Sequence, residues 1–190
     1  FKNIAYSEGF DDAAEATVTL AQGADGPVAG IHTAAVEFGQ GLYTVLTQIV
    51  RTELGVEHVV VHPADTSNGS AGSTSASRQT MMAGGAVQGA CGLVRDELAA
   101  RGGSLGDGPI SRTFVFHHRP TDRFDADGHG DIHVTLAFVA ERAVVEVDED
   151  LGLARVVQVA VADDIGRVLN PQGAEGQIEG GVAIGLGHAL

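Results

Sequence analysis

The sequence predicts an α+β fold. β-Branched runs at Val56–Val61, Ile110–His117, His133–Val147 and Leu153–Val161 read as strands. Apolar residues recur at helical spacing through Leu42–Leu54 and again through Met82–Leu98. With 44% hydrophobic and 19% charged residues over 190 positions, the chain can bury a sizeable core. Trp is absent and aromatics are 5%, so Val, Leu, Ile and Ala must fill that core.

Taken in order, Ala16–Leu20 and Val28–Phe38 are extended, and the Gly/Asp-rich turn Gln22–Pro27 joins them as a hairpin. After Gly39-Gln40-Gly41, residues Leu42, Val45, Leu46, Ile49 and Leu54 define one buried helix face, with Gly55 as its stop. Val56–Val61 is the next strand. The Ser/Gly segment Asp65–Ser77 leads into a second helix carrying Met82, Val87, Cys91, Val94 and Leu98, which Gly102-Gly103 ends. Gly84, Gly85, Gly89 and Gly92 inside this helix each cost about 1 kcal/mol against Ala. Their compensation is expected to be a smooth face against which a backbone or a ligand packs closely.

Ile110–His117 follows as a strand and Pro120–Asp131 as a polar loop. His133–Val147 and Leu153–Val161, turned by Asp148–Gly152, give the strongest hairpin signal in the chain. Asn170-Pro171 marks a turn, and residues from about Gly173 to Leu190 form a third, glycine-loaded helix. Two passes of strands and a helix suggest subdomains of about 1–105 and 106–190 and an internal duplication, although no sequence repeat is visible.

A net charge of −14 disfavours nucleic acid and anionic membrane surfaces, both of which want a basic footprint. No apolar run reaches transmembrane length. The single cysteine excludes an intramolecular disulfide and fits a reducing, cytoplasmic setting. The chain lacks an initiator Met and ends inside an apolar helical pattern, so it reads as a piece of something longer.

Asp125-Ala126-Asp127-Gly128-His129-Gly130-Asp131 resembles the start of a calcium loop. Leu136 stands where the bidentate Glu belongs and no helices flank it, so it reads as a solvated turn. The histidines, including His117-His118, His129 and His133, lack zinc-ligand spacing. Cys91 falls on an apolar helix face and reads as a core residue. Three places offer backbone N–H groups to an anionic or oxo ligand at a helix start: Gly39-Gln40-Gly41, Ser73–Thr80 and Gly176-Gln177. Gln40 and Gln177 add an amide that donates and accepts in one fork. Ordinary capping is the rival reading of each place alone.

EFGQGLYT (Glu37–Thr44), GSAGSTSASRQTMMAGGAVQGAC (Gly69–Cys91) and DDIGRVLNPQGAEGQIEGGVAIGLGHAL (Asp163–Leu190) together resemble the molybdenum-binding subunit of xanthine dehydrogenases. More broadly they resemble the molybdenum hydroxylases, which include aldehyde oxidases. The likeness extends over essentially the whole chain. It implies a fold of repeated strand-strand-helix-strand units whose mixed sheets pack with helices and grip a molybdopterin cofactor, with the cytosine dinucleotide form usual in bacterial members.

The resemblance assigns Gln40, Ser75, Ala76, Ser77, Thr80 and Gln177 to cofactor binding, none of them as a direct metal ligand. Arg78 beside them suggests pairing with a dinucleotide phosphate. The intact enzyme is expected to hydroxylate a purine such as xanthine with water as oxygen source. Electrons leave through 2Fe-2S clusters and FAD in partner domains or subunits of an oligomer. The family's catalytic glutamate, in a Gly-Val-Gly-Glu-type motif, has no counterpart here. The chain therefore holds no catalytic residue and is expected to be inactive alone. The rival reading is a non-enzymatic α+β module for a phosphate-bearing ligand.

Overall fold

The computed structural model describes residues 2–3 and 8–189. They form seven strands and three α-helices, with a short 3-10 turn at Thr66–Asn68. Two compact units divide them, one from Asn3 to Thr135 and one formed by Lys2 with Leu136 onward. The division falls after residue 135 instead of near 105, because the strand that follows residue 105 completes the first unit's sheet.

That first unit is built on strands β2 (Ala13–Gly23), β3 (Gly26–Thr33), β4 (His58–Val61) and β5 (Ile110–His117), ordered β4-β3-β2-β5. β2 pairs antiparallel with both β3 and β5, whereas β3 and β4 run parallel, so the sheet is mixed. Parallel neighbours need a crossover, and helix α1 (Leu42–Leu54) supplies it. Helix α2 (Arg78–Ala100) packs on β2, β5 and α1.

Alternation along β2 buries Ala14, Ala16, Val18 and Leu20, while Glu15, Thr17 and Thr19 point to the opposite face. Ala29 and Ile31 of β3 complete that buried layer. Leu46 and Val50 of α1 and Met82, Ala86, Val87, Ala90 and Val94 of α2 are fully buried with it. Burying a Leu, Ile or Val side chain contributes about 1.5–3 kcal/mol, so this layer outweighs the helix glycines.

Those glycines are explained inside the unit. A Cβ on Gly85 would lie 2.7 Å from the Phe116 ring, and one on Gly89 would overlap the Phe114 ring. A Cβ on Gly84 would sit 3.1 Å from Ile49 of α1. The smooth face of α2 thus receives the aromatic side chains of β5, and it is not a ligand surface. Gly92 meets nothing within 4 Å. α1 ends as expected: Gly55 adopts φ 66°, and its N–H donates to the Arg51 carbonyl at 3.0 Å.

In the second unit, β6 (Leu136–Asp148) and β7 (Leu153–Asp164) form the expected hairpin, with a bulge at Val144/Val145. β1 (Lys2–Asn3) flanks β6 in a sheet ordered β1-β6-β7. Helix α3 runs from Pro171 to Ala189 and none of its described residues is buried. The strand-strand-helix sequence β2-β3-α1 recurs as β6-β7-α3, with its own connections each time. None of the described helices is long and apolar enough to cross a membrane.

Candidate cofactor site

The register places one set of loops at a single end of the four-stranded sheet. β3 and β4 finish there, β2 starts there, and Ala13 stands opposite His117 at the close of β5. The turn carrying Gln40 therefore leaves from the same end as the Ser/Gly loop 62–77. Two backbone bonds tie the loop down: Asp65 N–H to the Thr33 carbonyl at 3.4 Å and Glu15 N–H to the Ser70 carbonyl at 2.8 Å. Loops beyond strand ends of this kind are where α/β sheets commonly take ligands.

Along Ser75–Thr80 the structure separates two kinds of residue. Ser75, Ala76, Ser77 and Thr80 are exposed, while Arg78 and Gln79 are buried beneath them. Arg78 makes a bidentate pair with Asp12, Nε to Oδ2 and Nη2 to Oδ1, both at 2.6 Å. Its remaining donors reach the carbonyls of Ala13, Ala71 and Ser73. Gln79 Nε2 reaches the Ala71 and Ser73 carbonyls at 3.2 Å each. The loop thus wraps a saturated guanidinium. Gly72, at φ 62°, passes so close that a Cβ would collide with Arg78 Nη2. The suggested Arg78–phosphate contact is corrected accordingly, since a buried, fully paired side chain has no donor left for a ligand.

Above that anchor, the first N–H of α2, that of Arg78, donates to the Ser75 carbonyl at 3.1 Å. Ser77 is the helix N-cap but makes no side-chain capping bond, and no acidic residue stands in the first turn. Ala76 holds φ 48°, a left-handed conformation that costs a non-glycine residue about 1–2 kcal/mol. The donor set is backbone N–H groups at the positive end of a helix dipole, ringed by the hydroxyls of Ser75, Ser77 and Thr80. That chemistry fits phosphate, oxo and pterin acceptors.

The other two helix starts differ from expectation. At α1, Glu37 already occupies the N-terminus. One carboxylate oxygen accepts from Gly39 N–H at 2.7 Å and Gly41 N–H at 3.1 Å, and the other accepts from Tyr43 N–H at 3.0 Å. Partial burial opposes the charge on Glu37, but its backbone donors outweigh it and hold the carboxyl below its ordinary pKa. The Gln40 amide folds back on the same turn, accepting from Phe38 N–H at 2.7 Å and donating to the Val36 carbonyl at 2.9 Å.

At α3 the helix begins at Pro171, capped by Asn170, whose Oδ1 accepts from Gly173 N–H at 3.1 Å. Gly176-Gln177 therefore lies inside the helix, where its N–H groups serve the helix itself. Gln177 offers only its exposed side chain, and it belongs to the second unit.

Comparison with known proteins adds what geometry alone leaves open. The molybdopterin cofactor-binding domain family matches residues 1–109 and 104–190. The chain belongs to this family. It is 31% identical to a probable xanthine dehydrogenase subunit of Bacillus subtilis over 189 residues, covering 81% of this chain and 25% of that protein. It is 29% identical to the aldehyde oxidoreductase molybdenum-binding subunit PaoC of Escherichia coli O157:H7, covering 84% of this chain and 24% of that one. The solved aldehyde oxidoreductase of Desulfovibrio gigas superposes with a TM-score of 0.74 at 29% identity, over 96% of this chain and 22% of its own. The chain spans about a quarter of the length of these relatives. Its family is that of molybdenum hydroxylase subunits, and its mixed α/β fold matches theirs.

The remaining candidates resolve into structure. Asp125 Oδ1 accepts from the N–H groups of Asp127 and His129 at 2.9 and 2.8 Å, a turn closed on itself. Asp131 takes a bidentate bond from Arg119, at 2.6 Å to each oxygen, and that partner holds its carboxyl below the ordinary value. Cys91 is fully buried; burial, and to a smaller extent Glu53, push its thiol up to about 12. It is a core residue. Sequence reasoning missed Asp12, Gln79 and Glu37. Asp12 lies 66 positions from Arg78, and no spacing rule links them. Glu37 did carry a signal, an acid just before a glycine-flanked helix start.

Proposed function

We propose that this chain forms one side of the molybdopterin cradle in a molybdenum hydroxylase of the xanthine dehydrogenase type. The observation that carries the reading is the α2 N-terminus, which has no side-chain capping bond and no first-turn acid, with exposed Ser75, Ala76, Ser77 and Thr80 held from beneath by Arg78 and Asp12. When bound, the cofactor supplies the metal and its two-electron redox chemistry. The protein's residues bind and orient it. First-turn N–H groups of α2 and the hydroxyls of Ser77 and Thr80 hold its polar atoms, and the Gln177 amide provides a further fork. Gln40 contributes only after releasing the Val36 carbonyl and Phe38 N–H, so its role includes opening that turn.

The cofactor is the cytosine dinucleotide form, and 2Fe-2S and FAD groups in partner domains or subunits take the electrons. The whole protein is cytoplasmic and oligomeric and acts on a purine, and this chain alone does not turn over. Likeness to a probable xanthine dehydrogenase subunit supports the substrate class. The comparable likeness to aldehyde oxidoreductases favours aldehydes as the second reading.

Metal and nucleotide analysis of the intact protein tests the cradle. Molybdenum together with released cytidine nucleotide is expected; neither, in a cofactor-supplied preparation, overturns it. Turnover of xanthine against an aldehyde by the same preparation separates the two substrate readings. A Gln177→Ala substitution is expected to lower molybdenum content or rate, and unchanged values of both remove Gln177 from the site.

A further inference from the structure

Helices cover one face of the four-stranded sheet, and the other face carries a row of polar side chains. Thr17 and His32 stand opposite each other on β2 and β3, Thr17 stands opposite Thr113 on β5, and the two threonine hydroxyls lie 2.7 Å apart. Beyond β3, His62 follows the last residue of β4, and its N–H donates to the Ile31 carbonyl at 2.9 Å, extending the parallel register by one position. His32 and His62 are thereby neighbours on adjacent strands. Their rings stack with centroids 4.0 Å apart and planes inclined by 9°.

Two residues before His32 on the same face of β3, and opposite Thr19 of β2, Gly30 leaves a notch. A Cβ placed there would lie 3.2 Å from His62 Nε2, 3.5 Å from His32 Nε2 and 2.5 Å from Thr19 Oγ1. Two imidazole nitrogens and a hydroxyl therefore converge on one small space that no side chain fills. Both histidines are half-buried, and neither ring is hydrogen-bonded to a described residue. Two neutral imidazoles beside a hydroxyl are a donor set for borderline late transition metals. A hard cation such as Mg²⁺ would want carboxylates, which the notch lacks.

We propose that His32 and His62 form a two-histidine binding site for a divalent late transition-metal ion, Ni²⁺ or Zn²⁺ in class, above Gly30. Rotation about the soft χ2 torsion turns both Nε2 lone pairs toward the notch. The Thr19 hydroxyl and water complete the coordination, because two nitrogens alone do not fill it. An ion there cross-links β3 to the residue at which the chain leaves β4 for the Ser/Gly loop. This site is separate from the cofactor cradle and does not depend on that reading.

Equilibrium dialysis of the intact protein against Ni²⁺ tests it, comparing wild type with His32→Gln, His62→Gln and His58→Gln. His58 is the control, an exposed histidine on β4 outside the notch. Wild type and His58→Gln are expected to bind one Ni²⁺ more than His32→Gln or His62→Gln, since removing either ligand destroys the chelate. Equal binding by all four proteins overturns the site, as does loss confined to His58→Gln. Should the variants fail to fold, protection of the wild type from diethyl pyrocarbonate gives the answer by peptide mass spectrometry. Ni²⁺ should shield His32 and His62 together, and acylation of both rings unaffected by Ni²⁺ overturns the proposal.

Discussion

Arg78 sets the shape of the Ser/Gly loop from a buried position in which all its donors are taken. A buried guanidinium is tolerable only when its donors are filled, and Asp12 with three carbonyls fills them. Asp12→Ala would leave that charge unpaired, with an expected loss of about 3–5 kcal/mol in urea unfolding. Glu37 works at the surface in the same spirit, as a built-in anion for the α1 N-terminus. Its lowered pKa means that its stabilising effect is complete above the unfolded pKa and is lost as pH falls through the folded one. Glu37→Gln is therefore expected to reduce stability at neutral pH and to flatten the acid limb of a melting-temperature profile.

At the scale of elements, α2 shows packing overriding propensity. Alanine at Gly89 would gain helix propensity of about 1 kcal/mol, but its methyl would enter the Phe114 ring. Overpacking of this kind costs about 1–3 kcal/mol, so Gly89→Ala is expected to be destabilising in chemical denaturation. Gly92, with nothing near its missing Cβ, is the internal comparison, and Gly92→Ala should stabilise by up to about 1 kcal/mol. The contrast between two glycines less than a helical turn apart separates packing from propensity. α3 presents the opposite case, with apolar residues such as Ile184 left 66% exposed.

For the whole molecule, the fold assembles the candidate site by bringing strand ends together. Gln40 and the Ser75–Thr80 segment leave from the same sheet end, while Gln177 sits on the second unit. In the intact protein, replacing Ser77 and Thr80 by Ala and Val is expected to lower molybdenum content while leaving the melting temperature of the cofactor-free protein unchanged. A lowered melting temperature of the cofactor-free protein accompanying the loss of metal would assign them a structural role instead.

Sequence by itself determined the α+β class, the Gly55 stop of α1, the β6–β7 hairpin and the family. These follow from periodicity, turn chemistry and local wording, which operate within a few residues along the chain. It also placed Ser73–Thr80 at a helix start, and α2 begins there, at Arg78. Only the tertiary structure decided that Arg78 is an internal anchor, that Glu37 fills the α1 terminus and that the α2 glycines receive Phe114 and Phe116. Each of those outcomes joins groups by shape and charge across distances that sequence spacing does not encode. The Ser/Gly loop therefore stands on a buried floor, the Arg78–Asp12 pair, which folding alone fixed.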